Sequence, residues 1–262
     1  MKRMNKLRGV CLFVFLGLSS MTFAENSGTS SGLIWSALRG LEYRVKAGFN
    51  FGGISPLPLP GEIREIKSFR PGMQIAIEGD VIKWFNSDWA LLMGIRLENK
   101  GMKTDARVKN YHMDMISNDP ENPGHLVGAW TGYVKTNVKN SYLTFPIQAL
   151  YKVSKRWELK AGPYLSLVAS RDFSGSAYDG YIREGDPTGD KATVSEATYD
   201  FSKDLRRFQW GVDVGTEWKA YRHLNVYADL TWGLNSIFKK GFESVSFDMY
   251  CIYLNIGFGY VF

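Results

Sequence analysis

From Cys251 to the C-terminal Phe262 the chain alternates. Ile252, Leu254, Ile256, Phe258, Tyr260 and Phe262 are large and apolar, and Cys251, Asn255, Gly257 and Gly259 lie between them. Seven earlier segments repeat the pattern. Residues 41–51 set Leu41, Tyr43, Val45, Ala47, Phe49 and Phe51 against Glu42, Arg44, Lys46, Gly48 and Asn50. The others span residues 73–81, 91–98, 143–152, 157–167, 208–218 and 224–233. Side chains of a strand point alternately to opposite faces, so one apolar and one polar face at period two predicts eight β-strands. Pro146 and Pro163 lack an N–H, and each predicts a bulge or a missing rung nearby.

Connector length orders these strands. "KWFNSD", "VSKR" and "KAYRH" are short, and they alternate with long connectors of about 20, 45, 40 and 14 residues. That asymmetry predicts an all-β, eight-stranded antiparallel up-and-down barrel over residues 41–262, with short periplasmic turns and long extracellular loops. A soluble barrel with its apolar face buried shows the same alternation. Three features favour the membrane version: bulky outward faces with Trp at strand ends, an export signal, and a last strand ending on Phe262. Only a closed barrel satisfies every backbone group of a sheet in lipid.

On this reading the polar face is enclosed. The expected lumen holds Arg44, Lys46, Arg96, Lys152 and Lys160 together with Glu42, Glu78, Asp80, Glu98, Glu158, Asp213, Glu217 and Asp229. Eight strands leave an interior that side chains just fill, so mixed charge at this density implies an ion-paired plug. Trp84, Trp89, Trp157, Trp218, Tyr221, Tyr260 and Phe262 are expected to form an aromatic girdle at the turn end. Phe49, Phe51, Tyr142, Phe208, Trp210, Trp232 and Tyr250 are expected near the loop end.

The first 24 residues differ in kind: "MKRMNKLRG" is basic, "VCLFVFLGLSS" is apolar and short, and "MTFA" ends small. This is the layout of a secretory signal peptide, with a polar tether and a short helix expected over residues 25–40. With Lys2, Arg3, Lys6 and Arg8 set aside, 28 basic residues face 26 acidic ones. The surplus falls from +6 to +2, which gives no reason to expect nucleic-acid binding. Of the two cysteines, Cys11 lies in the signal, which leaves Cys251 without an internal disulfide partner. Abundant Gly (27) and aromatic residues (15%) suit twisted β structure.

The stretch "SYLTFPIQALYKVSKRWELKAGPYLSL" resembles the PorT-like outer-membrane β-barrel family, as does "FRPGMQIAIEGDVIKW" followed by "WALLMGIRLENKGMK". The resemblance covers residues 41–262 and implies a bacterial outer-membrane location and an eight-stranded barrel. It also implies a possible accessory role in protein secretion. Expected partners are outer-membrane lipids, the barrel assembly machinery through the C-terminal strand, and a secretion-complex or loop-bound partner.

Candidate chemistry is sparse. His112 and His125 share a long connector with Asp105, Asp114, Ser117, Asp119 and Glu121, from which a His–Ser–acid site can be drawn. A solvated loop is the expectation preferred here. Glu184, Asp186 and Asp190 sit in a Gly/Pro turn without the EF-hand pattern. His223 is expected in a short turn, and Cys251 as a packed thiol. No catalytic residue, cofactor or metal is expected. The expected role is structural or binding, carried by the loops, with a narrow channel or a lipid-modifying rim enzyme as alternatives.

Overall fold

The computed structural model describes residues 40–262, apart from 118, 121, 186, 243 and 246. The expected signal peptide, tether and short helix lie outside the described residues. Among the described residues there are eleven strands: β1 (Leu41–Pro56), β2 (Ile63–Pro71), β3 (Gln74–Trp84), β4 (Trp89–Ser117), β5 (Gly124–Lys152), β6 (Trp157–Ser170), β7 (Phe173–Glu184), β8 (Lys191–Asp200), β9 (Phe208–Tyr221), β10 (Leu224–Gly233) and β11 (Met249–Val261). All ladders are antiparallel.

Eight of these strands are the expected ones. Their ladders run β1–β3–β4–β5–β6–β9–β10–β11 and return from β11 to β1 through thirteen rungs, Arg44↔Val261 to Pro56↔Met249. The Phe262 amide donates to the Tyr43 carbonyl (3.0 Å), so the final residue completes the return. Short turns are built by local side chains. Asn86 Oδ1 accepts from the amides of Asp88 and Trp89, and Ser154 Oγ accepts from those of Arg156 and Trp157. Both prolines disturb their ladders. The β4–β5 register passes from Met93↔Ile147 to Arg96↔Thr144, and β5–β6 from Pro146↔Tyr164 to Ala149↔Ala161.

The expected strand count of eight is corrected to eleven, because two of the long connectors hold strands of their own and a third lengthens β4 and β5. β2 and β3 lie end to end along one edge of β4. β4 and β5 are 29 residues each, and only residues 118–123 connect them. β7 and β8 form a hairpin on β5, and the tip of β8 reaches β4 at Ile116↔Thr198 and Ser117↔Ala197. Residues 102–117 carry this sheet about 50 Å along the strand past the eight-stranded part.

The two regions have opposite polarity. In the eight-stranded part the outward residues are apolar: Tyr43, Val45 and Phe49 on β1, Met93, Ile95 and Leu97 on β4, Leu254, Ile256 and Phe258 on β11. Inward residues there are Arg44, Lys46, Glu78, Arg96, Asp213 and Asp229, all buried. Beyond it Met113, Met115, Trp130, Val134, Ile182 and Val194 are buried, and Lys103, Lys135 and Lys139 are exposed. On β4 the changeover lies between exposed Leu97 and exposed Lys103. From Trp89 to Leu97 is about 26 Å along the strand, or roughly 20 Å at the usual tilt, close to the apolar band of an outer-membrane barrel.

Candidate functional site

The enclosed face is layered. At the turn end Ile82, Ala90, Leu92 and Leu150 form an apolar floor with Trp84 against it. Above it five buried cations, Arg44, Lys46, Arg96, Lys100 and Lys160, meet six buried carboxylates, Glu78, Asp80, Glu98, Asp213, Glu217 and Asp229. Arg44 Nη1 lies 2.7 Å from both Glu158 and Glu217, and the guanidinium also grips Glu42 at 2.6 Å. Lys46 Nζ lies 2.5 Å from Glu78 and 2.8 Å from Asp80, and Lys160 Nζ reaches Glu217 (2.9 Å) and Asp229 (2.8 Å). Arg96 pairs with Glu78 and lies 3.2 Å from Asp213.

Neutral groups complete the packing. Thr144 on β5 donates to Glu98 (2.7 Å), as does Asn50 on β1 (3.1 Å), and Asn255 on β11 donates to Asn50 (2.6 Å). Every strand of the cycle thus contributes a buried polar side chain. Lys100 sits among the rings of Tyr142, Tyr164 and Tyr253, with centroids 5.3–5.6 Å away. Above these rings begins the apolar core of the projecting sheet, including Met102, Phe173, Phe201 and Phe238. Charges so far from water are tolerable only when paired, and here each has a partner on another strand or two residues along its own.

The structure places each expected lumen residue on the inward side. Glu42 and Glu158 are half-buried, and Lys152 caps the turn end with its ammonium 4.1 Å from the Trp84 ring. Sequence reading omitted Lys100, although the alternation of "RLENK" carries the inward face from Arg96 through Glu98 to it. Among the girdle residues Trp89 packs against Tyr151 (4.7 Å), Trp157 against Trp218 (6.3 Å) and Tyr260 against Phe262 (5.0 Å). Tyr221 is exposed. Trp84 is a correction: it shares the inward parity of Ile82, and its indole donates to Glu42 (3.1 Å). Tyr142 is likewise buried inside and absent from the upper band.

His112 and His125 do not stand in a loop. His112 is on β4 opposite Ala129, and His125 is on β5 opposite Ile116. His125 Nε2 lies 2.6 Å from Asp114, but Ser117 accepts from the Asp119 amide and Asp105 accepts from the Tyr178 hydroxyl. Among the described residues no serine hydroxyl bonds either ring. Glu121 and Asp186 lie outside the described residues. Glu184 N bonds Asp190 O (3.2 Å), which closes the β7–β8 turn, and no cluster of metal ligands occurs among the described residues. His223 Nδ1 bonds the Val261 carbonyl (2.7 Å) in its short turn. Cys251 is buried beside Gln209 and Tyr142.

The projecting sheet carries a polar outer face. Tyr133 stacks on Tyr178 at 5.3 Å, with Lys67 over the first ring (3.8 Å) and Lys135 over the second (4.2 Å). Desolvation, then the hydrogen bond to Asp105, push the Tyr178 phenol up to about 12. An apolar cleft of about 360 Å³ opens where β1 runs past β3, lined by Ile54, Ile66, Phe69, Met102, Val108 and Phe247. The Pro-rich connector thus supplies part of a wall, while Leu57 and Leu59 stay exposed.

Among solved structures the chain is similar to Ail, the attachment invasion locus protein of Yersinia pestis, in complex with the heparin analogue sucrose octasulfate. Identity is 9%, coverage is 85% of this chain and 99% of that one, and the TM-score is 0.36. It is also similar to a Pseudomonas aeruginosa FadL homologue, at 10% identity, 84% and 86% coverage and a TM-score of 0.20. No curated protein matches the chain. The profile of the family described as "Outer membrane protein beta-barrel domain" matches residues 23–239. The chain therefore belongs to the outer membrane protein beta-barrel domain family, and its place is the bacterial outer membrane.

Proposed function

We propose that this protein is a non-conducting, eight-stranded transmembrane barrel that holds a β-sheet outside the cell as a binding surface. The cycle of eight ladders is the wall, the short turns face the periplasm, and β2, β7, β8 and the ends of β4 and β5 stand on the extracellular side. The observation that carries this reading is the interior network. Lys46, Asp213 and Asp229 have no exposed surface, and charged side chains from six strands meet across the middle. An ion cannot pass without separating buried pairs, each a loss of several kcal/mol. The role is binding rather than catalysis. In support, among the described residues no serine hydroxyl bonds the His125 ring, which Asp114 engages at 2.6 Å.

Planar-bilayer recording tests the plug. The purified protein is expected to give no reproducible large openings, and steady openings would replace this reading with a channel. A finer reading follows the PorT-like resemblance, in which the sheet contacts a secretion complex. Deleting the gene is then expected to block export of other proteins, and normal export removes that role.

A further inference from the structure

Just beyond the outward apolar belt, three cations gather on adjacent strands. Arg70 of β2 is the register partner of Lys103 on β4, and Lys139 of β5 is the partner of Gly101, two residues below Lys103. All three are exposed. None has a carboxylate partner or a side-chain hydrogen bond among the described residues, unlike Arg107 higher on the sheet, which pairs with Glu65 (3.4 Å). They surround a small concavity of about 100 Å³ that Gln74 and Asn137 also line. Gly72 also lines it, and an added Cβ there would stand 2.6 Å from Gln74 Nε2. The Asn137 amide oxygen is buried without a hydrogen-bond partner; as an acceptor it suits a hydroxyl of the ligand and not a phosphate oxygen.

Height decides what such a pocket meets. Met73 and Ile75, among the most exposed apolar residues, follow Arg70 by three and five residues, and Leu97 lies four residues below Gly101 on β4. The cations thus stand roughly 10 Å past the belt, where headgroups lie, and long basic side chains reach back toward that level. We propose that Arg70, Lys103 and Lys139 bind the phosphorylated headgroup of an outer-leaflet lipid. This proposal rests on the transmembrane reading above. The concavity is the size of one phosphate, the three cations supply its charge, and the Gln74 amide supplies a neutral donor. The bound lipid fixes the height and tilt of the projecting sheet.

Native mass spectrometry of the full protein, released from detergent, tests this with bisphosphorylated lipid A and its dephosphorylated form as probes. Wild type is expected to retain the phosphorylated lipid at least about tenfold better, with a loss of about fivefold for each of Arg70→Gln, Lys103→Gln and Lys139→Gln. Arg64→Gln and Lys109→Gln, higher on the sheet, are expected to leave retention unchanged. Equal retention of the two lipids by wild type overturns the proposal without needing any variant. So does unchanged retention by the triple variant. Heparin that binds wild type but not the triple variant, with lipid retention unaffected, would assign the pocket to a soluble polyanion and overturn it too. Heat-modifiable migration of each sample on a detergent gel reports the barrel separately, so loss of the site and loss of the fold are distinguishable.

Discussion

Arg96 illustrates how single residues hold the interior. It sits between Glu78 on β3 and Asp213 on β9, so one guanidinium links strands on different parts of the wall. Arg96→Met leaves buried Asp213 without its cation and buried Glu78 with Lys46 alone. We expect a loss of about 3–5 kcal/mol in urea unfolding from lipid vesicles. A loss under about 1 kcal/mol would mean that water reaches the network. On the projecting sheet Tyr178 has its folded-state pKa raised to about 12 by desolvation and by Asp105. A raised value means the contribution to stability is full below the usual tyrosine range near 10 and is lost as pH climbs toward 12. Ultraviolet difference titration against Tyr178→Phe is expected to show one phenol ionising late, and coincident curves would contradict it. Parity alone made the lumen legible residue by residue, from Glu42 to Asp229. It could equally have turned Trp84 inward with Ile82. An indole is amphipathic, so its identity alone does not separate an interfacial place from an interior one.

At the scale of elements, the strands that were read and those that were missed differ in one physical respect. The eight alternate without interruption. β4 beyond Gly101 carries a bulge, with Asn110 at φ 53° and a register shift between Val108 and Tyr111. The buried set accordingly changes from even positions (Arg96, Glu98, Val108) to odd ones (Met113, Met115). β7 does the same around Asp179 (φ 48°), from Phe173 and Ala177 to Ile182. An extra residue resets a period-two pattern, so the apolar positions no longer line up in sequence although they share one core. β2 shifts register twice against β4. Asn tolerates the left-handed region and a β-branched residue does not, so Asn110→Val is expected to cost about 1–2 kcal/mol, while Asn110→Gly stays near wild type. Trp130 is fully buried, and Gly132 and Gly180 face each other to admit its indole, with Cα of Gly180 2.8 Å from a Cβ placed on Gly132. Trp130→Ala is expected to cost about 3–5 kcal/mol, localised to this sheet. Hydrogen exchange should then quicken in β7 and β8 and stay slow in β3 and β10. Uniform quickening would mean that the two regions unfold as one.

For the whole molecule, one chain is soluble-like at one end and inverted at the other. The reversal needs no change of secondary structure, since β4 and β5 pass through both regions unbroken. It needs only that outward residues change from Ile95 and Leu97 to Lys103, and inward ones from Arg96 and Glu98 to Met102 and Val108. On the transmembrane reading proposed above, this changeover is the membrane surface. Single nitroxide labels at Ile95, Leu97, Lys103 and Ile256, in a Cys251→Ser background, read it directly by power saturation in lipid bilayers. Labels at 95, 97 and 256 are expected to collide with oxygen and to be shielded from a water-soluble nickel chelate, with the preference reversed at 103. Chelate access at 95 and 256 equal to that at 103 would contradict it.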